Sequence, residues 1–500
     1  MSPIPERARP LTAFDAQFLA AEAGNMTSNY CGLGVYGPDA SGAALTRERV
    51  RDLVAARIDR IPALRWHLQS TPLGVDHPSF VDGPVDLDDH VLAATLPAPG
   101  GPIQLAELTA QMMATKLDRR RPLWRFVVVD GLADGRVAVA MVFHHAAADA
   151  LAFATILSLL LDVQPDPADR TDLPAMVPPL PGPDARTRAL QIARRTATHP
   201  LRATRAGAAA LPYLDQVPMM RALPGAQTIA RAARRVQGVT GPAKDHGEYL
   251  QAPKVRFNGP LSPGRSIAYG HVDLAVVKAL KEAAGITFND VVVAAVGGGL
   301  RRRLAATDGV PETPLLAFVP SSVRTTDDRG RIGNAISSYV VPVPTHLEDP
   351  TARVAAAARG MTAAKTRQAD APTTLLEDAN ELISPIVFAP LAGGMLRLMG
   401  TGLFAPPLNL VLSNVPGPPV TLHLDGAPME EVAPLSLVFD GVALNITVVS
   451  YAGRLEIGVV GDRELVPDAW DLVADIQAEF AALLDLLPEP VVRQSSPAGA

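Results

Sequence analysis

Val137-Ala-Val-Ala-Met-Val-Phe-His144-His145-Ala-Ala-Ala-Asp149-Ala150 runs from an apolar, β-branched segment into two histidines, a small-residue turn and an aspartate. Continuous apolarity over residues 137–143 predicts a strand covered on both faces, as in the sheets of α/β proteins. Residues 151–161 have the composition of a buried helix, with Asp149 near its start. Two imidazoles at a strand end beside a helix start are suited to proton transfer. Neighbouring strand residues point to opposite faces, so only one histidine can serve a given pocket; the other is structural, its ring tied to backbone. Asp149 admits two readings, a part in the chemistry or a plain helix N-cap.

Five hundred residues exceed one ordinary domain and fit two large ones. Hydrophobic residues form 48% of the chain, ample for large cores. The net charge of −6 argues against general nucleic-acid binding. A single cysteine, Cys31, cannot close an internal disulfide, which suits a reducing cytosol. The N-terminus lacks the apolar core of a signal peptide, and no apolar run approaches the ~20 residues of a membrane span. These features predict a soluble, cytoplasmic chain that can still touch a membrane.

Outward from the histidines, residues 11–22 predict a short amphipathic helix with the pattern D-x-x-F-L-x-x-E at Asp15, Phe18, Leu19 and Glu22. Gly32-Leu-Gly34-Val-Tyr-Gly37 has the form G-x-G-x-x-G, but no clear strand precedes it and Pro38 follows. It predicts a glycine-rich strand and turn, not a dinucleotide site. Helices are expected over 47–61 and 103–116. Leu117-Asp118-Arg119-Arg120-Arg121-Pro122-Leu123-Trp124 then turns into a strand over 125–129, with Trp124 as core anchor. Residues 164–184 are dense in proline and predict a stiff linker. Residues 185–236 carry ten arginines against one acid, Asp215. This basic, amphipathic segment suits a solvated crossover between domains, a surface for anionic lipid headgroups, or in part the phosphates of a ligand.

In the second half, a turn over 257–265 introduces a strand. Thr287-Phe288-Asn289-Asp290 opens a helix, where Asn and Asp are ordinary caps. Gly297-Gly298-Gly299 permits close packing or a kink and lacks the spacing of a phosphate loop. Leu315-Leu-Ala-Phe-Val-Pro320-Ser321-Ser322-Val323-Arg324 predicts a strand ending in a polar turn, and Gly333-Asn334-Ala-Ile-Ser337-Ser338-Tyr339 follows it. Asn409-Leu-Val-Leu-Ser413-Asn414 is another strand ending in a polar turn. Strands over 443–450 and 454–460 and a helix over 468–487 close the chain; the tail beyond Pro488 reads as disordered.

His144-His145-x-x-x-Asp149 resembles the HH-x-x-x-D-G signature of CoA-dependent acyltransferases. With the L-D-x-x-x-P-L-W run, the Asn289-Asp290 pair and the V-P-x-S-x-R and G-N-x-x-S elements, the chain resembles the bacterial wax ester synthase/acyl-CoA:diacylglycerol acyltransferase family over roughly residues 10–485. Two positions depart from the family pattern. Ala150 stands where the signature ends in Gly, and Met26-Thr27 stands where Met-His is usual.

The resemblance implies an α/β fold of two chloramphenicol-acetyltransferase-like domains, each a mixed sheet with flanking helices, around a central substrate tunnel. Residues 1–163 would form the N-terminal domain, 164–250 the linker and basic crossover, 251–488 the C-terminal domain and 489–500 a tail. It further implies acyl-CoA as co-substrate with no bound cofactor, and diacylglycerol or a fatty alcohol as acceptor. The product would be triacylglycerol or wax ester, with peripheral contact at the inner face of the membrane or on lipid inclusions. His145 would be the general base, His144 its structural neighbour, and Asp149 the group fixing the loop. Pro122, Leu123 and Trp124 would shape the pocket, with Asn289 and Asp290 in support. Ser337, Ser338, Asn289 and Asn414 stand as alternative oxyanion donors. With no G-x-S-x-G elbow and no H-E-x-x-H spacing, direct transfer without acyl-enzyme or metal is expected. Two rivals stand beside this reading, an acyltransferase for another alcohol and a catalytically weak, lipid-binding paralogue.

Overall fold

The computed structural model describes residues 9–71, 76–166, 176–177, 184–216, 225–238, 251–322, 336–369, 394, 397–403 and 405–486. Its centre is strand β7 (Val137–His144), buried at every position. Ala138, Ala140 and Val142 face a core shared with the second half of the chain. Val137, Val139, Met141 and Phe143 face a separate core beneath helices α2 (Arg47–Arg57) and α4 (Ala150–Leu160). Apolarity without alternation is what burial on both faces requires.

β7 lies in a six-stranded mixed sheet of order β12 (His423–Leu424), β13 (Ala427–Leu435), β2 (Asn29–Tyr36), β7, β6 (Trp124–Asp130), β5 (Val91–Thr95). β5 and β6 are parallel and the other pairs antiparallel. The glycines of β2 do belong to a strand. A side chain at Gly32 would collide with Phe153 of α4, whose Cζ lies 2.6 Å from the Cβ position. A small three-stranded sheet, β1 (Arg9–Pro10), β4 (Ser79–Asp82) and β3 (Trp66–Gln69), flanks this layer.

The second six-stranded sheet has the order β10 (Ile336–Val343), β9 (Leu315–Ser322), β11 (Leu410–Val415), β14 (Leu444–Tyr451), β15 (Arg454–Asp462), β8 (Arg265–Asp273). Only β11 runs parallel to its neighbours. Helices α7 (Leu274–Ala284), α8 (Phe288–Ala306), α9 (Pro350–Ala369) and α10 (Ala469–Asp485) flank it. The glycine run packs α8 against α10 without breaking the helix. A Cβ on Gly298 would sit 2.1 Å from Cδ of Glu479, which is buried between Arg302 and Arg353.

Residues 423–435, expected in the C-terminal unit, instead hydrogen-bond into the N-terminal sheet. β13 pairs antiparallel with β2, with Leu435 opposite Cys31. The loan covers an edge that β2 would otherwise leave unpaired. Among the described residues no single helix is long and apolar enough to cross a membrane; only α7 with α8, bent by 107°, approaches it, and α8 is largely buried core.

The basic crossover forms helix α5 (Ala185–Ala210) and helix α6 (Ala226–Gln237). Its lone acid, Asp215, is buried and takes a bidentate pair of bonds from Arg234 at 3.0 and 2.8 Å. Most of the proline-rich segment, Gly333, Asn334 and the tail over 489–500 lie outside the described residues.

Candidate active site

β7 ends at His144, and residues 145–147 turn toward α4. Two backbone bonds pin the turn: His144 N–H donates to Leu123 O at 3.0 Å, and His145 N–H to Ser28 O at 2.8 Å. His144 is buried, with Nδ1 accepting from the Ala146 N–H at 3.0 Å. An accepting Nδ1 puts the ring proton on Nε2. That nitrogen lies 3.4 Å from Oε1 of Glu22, a close electrostatic contact without a formed hydrogen bond.

His145 points elsewhere, as strand alternation demands. Its ring stacks on Phe18 at 4.3 Å and meets Tyr30 edge-on at 5.5 Å, and it keeps partial solvent access. Desolvation lowers its pKa to about 4. The field of Asp149 and a bond to its own backbone oppose that shift, and His144 reinforces it. Burial, with Asp149 nearby, also pushes the Tyr30 phenol well above its ordinary range.

Asp149 is the N-cap of α4, its Oδ1 accepting from the Ala152 N–H at 2.7 Å. Ala150 is the first residue of that helix, where the backbone is right-handed and an alanine is at no disadvantage to glycine. The other departure is also accommodated: Thr27 is buried and donates to Met113 O at 2.8 Å.

Helix α1 (Ala13–Ala21) forms the back of the site. A capping box starts it, with Asp15 N–H donating to Thr12 Oγ1 at 3.0 Å and Thr12 N–H to Asp15 Oδ2 at 3.1 Å. Phe18 and Glu22, four apart, share one face. Burial would raise the Glu22 pKa, but His144, the Ser28 N–H and Arg119 together bring it down to about 2. In sequence the D-x-x-F-L-x-x-E pattern reads as an opening helix like the family's; the structure adds its Phe18 and Glu22, and Tyr30 of β2, to the site.

Pro122, Leu123 and Trp124 brace the turn from below. Leu123 packs with Ala146 and Ala147. Trp124 is fully buried, donates Nε1–H to Leu64 O at 2.8 Å and stacks on His90 at 4.3 Å. In the second half, Asn289 and Asn414 meet, the Asn414 amide donating to Asn289 Oδ1 at 2.5 Å. Asp290 closes a capping box with Thr287, and its Oδ1 is buried without a hydrogen-bond partner among the described residues. Ser337 and Ser338 lie on edge strand β10 opposite Ser321 and Pro320.

The site is thus an HH-x-x-x-D turn closing a central strand of one mixed sheet, which the second half of the chain completes with β12 and β13. The wax ester synthase/diacylglycerol acyltransferase from Marinobacter aquaeolei VT8 shares the fold, with a TM-score of 0.65 at 24% identity over 95% of this chain and 98% of that one. So does the first condensation domain of the calcium-dependent antibiotic synthetase, with a TM-score of 0.53 at 16% identity over 100% and 98%. Residues 11–292 match the wax ester synthase/diacylglycerol acyltransferase catalytic domain, and residues 332–484 match the WS/DGAT C-terminal domain. A Mycobacterium tuberculosis protein named as a diacylglycerol O-acyltransferase is 34% identical over 95% of this chain and 90% of its own length. A Mycobacterium bovis protein so named is 32% identical over 94% and 97%. The chain belongs to the wax ester synthase/diacylglycerol acyltransferase family and is an acyltransferase of that type.

Proposed function

We propose that the protein transfers a long-chain acyl group from acyl-CoA directly to the hydroxyl of diacylglycerol or a fatty alcohol, with His145 as general base. The observation that carries this reading is the placement of His145. Its imidazole is held between Phe18 and Tyr30 and partly open to solvent, and desolvation lowers its pKa, which favours the neutral ring. A neutral ring can take the acceptor's proton as the alcohol oxygen attacks the thioester carbonyl. The tetrahedral intermediate then collapses, the C–S bond breaks, and the imidazolium returns the proton to the CoA thiolate. Asp149 lies close enough to stabilise that imidazolium. Asn289, Asn414, Ser337 and Ser338 are the candidate oxyanion donors. With Ala150 fitting its helix, nothing in the backbone favours the weak-paralogue reading.

The acceptor is a lipid, and the basic crossover supplies a surface suited to reach it. We place this surface at an anionic membrane face or lipid inclusion, as a peripheral contact. The test of the reaction is CoA release from palmitoyl-CoA with added dioleoylglycerol, comparing the native protein with His145→Ala. Loss of a general base lowers the rate by ~10²–10⁴-fold. Equal release by both proteins would remove His145 from that role.

A further inference from the structure

We infer that Glu22 is a positioning residue for acyl transfer, holding the two-histidine turn from behind and so setting where the His145 imidazole stands. The inference rests on His145 being the base. Glu22 reaches the turn by two routes. Through Oε1 it faces Nε2 of His144 at 3.4 Å, while the other nitrogen of that ring fixes the Ala146 N–H. The same Oε1 accepts from the Ser28 N–H at 3.0 Å, and Ser28 O receives the His145 N–H at 2.8 Å. The hydroxyl of Ser28 donates to Phe18 O at 2.7 Å, which ties this strut to the residue stacked on the His145 ring.

The carboxylate is itself held. Arg119, from the L-D-x-x-x-P-L-W run, donates to Oε2 at 3.0 Å and to Leu19 O at 2.6 Å. Both Glu22 and His144 are almost fully buried, so neither can turn to water. The hydrogen-bonded route to His145 therefore runs through the Ser28 backbone, while the same buried carboxylate faces the His144 ring across a close contact. Removing its charge weakens both supports of the turn that presents His145. A displacement of about 1 Å at a reacting group costs on the order of 10²-fold.

The test uses the full-length protein with Glu22→Gln, His144→Asn, their double variant and His145→Ala, measuring kcat, KM and thermal midpoint. Glu22→Gln keeps the shape and removes the charge. It should lower kcat by about 10- to 100-fold with KM for both substrates nearly unchanged. Because Glu22 and His144 face each other behind the same turn, the double variant should lose less than the product of the two single losses. Native kcat in Glu22→Gln while His145→Ala collapses overturns the inference and leaves the base intact. Full activity in His145→Ala removes the base reading, and Glu22's role goes with it. Should Glu22→Gln fail to fold, Arg119→Ala removes only the exposed holder of the carboxylate. A kcat drop of about threefold supports the inference, and no drop overturns it.

Discussion

A histidine held to a pKa of about 4 behaves differently from one in water, and the difference is measurable. A base must be neutral to act, so on the proposed assignment of His145 as base the acid limb of kcat/KM marks where its ring takes up a proton. That limb should fall near pH 4 instead of the ~6.5 of an unperturbed imidazole, leaving kcat/KM flat from about pH 5.5 to 8. A limb at 6.5 would mean that the ring is solvated or is not the base. The same shift sets a stability window. The unfolded chain protonates His145 near ~6.5, which the fold resists until about 4, so this contribution is present above 6.5 and lost as pH falls to 4. Glu22, depressed from 4.5 to about 2, contributes above 4.5 and loses that contribution as pH falls toward 2. Acid should therefore weaken the fold in two successive steps, both centred on the site.

At the scale of one helix, Asp149 has two separable duties. Its carboxylate caps α4 through the Ala152 N–H, and its charge raises the proton affinity of His145. Asparagine caps a helix as well as aspartate does, whereas alanine costs about 1 kcal/mol. Asp149→Asn should therefore keep the thermal midpoint and lose kcat, because the imidazolium formed in the reaction loses its counter-charge. Asp149→Ala should lose both. Equal activity in the native and Asn proteins would reduce Asp149 to a cap. Most of this element was legible in the sequence, since an apolar run, a small-residue turn and an aspartate dictate strand, turn and capped helix. The Asn289-Asp290 pair was less so. Capping accounts for Asp290, but that the Asn289 amide crosses to Asn414 depends on a contact 125 residues apart, which no local pattern encodes.

The whole molecule shows where sequence reading stops and where a surface begins. Two mixed sheets followed from the family resemblance, but the passage of β13 into the first sheet did not. A strand's periodicity says which face is buried and nothing about its partner. The basic crossover was legible in composition, and its structure sharpens the picture. α6 buries Ala226, Ala230 and the paired Arg234, while Ile229 and Val236 point outward, Val236 at 87% exposure, beside exposed Arg231 and Arg235. On α5, Arg186, Leu190, Arg194 and Leu201 follow helical spacing along one exposed face, and neither helix contains an acid. Large apolar side chains facing out among exposed arginines suit an anionic lipid interface, where each arginine is worth about 1 kcal/mol, roughly fivefold in affinity. The protein should sediment with phosphatidylserine-containing vesicles and not with pure phosphatidylcholine, and added salt should release it. Arg231→Gln with Arg235→Gln should weaken binding by roughly 30-fold, and Ile229→Ser with Val236→Ser should weaken it even at low salt. Activity on short-chain, water-soluble acceptors should survive all four changes, because none touches the histidine turn. Equal binding to both vesicle types, or binding indifferent to these residues, would return the crossover to a solvated connection between the two sheets.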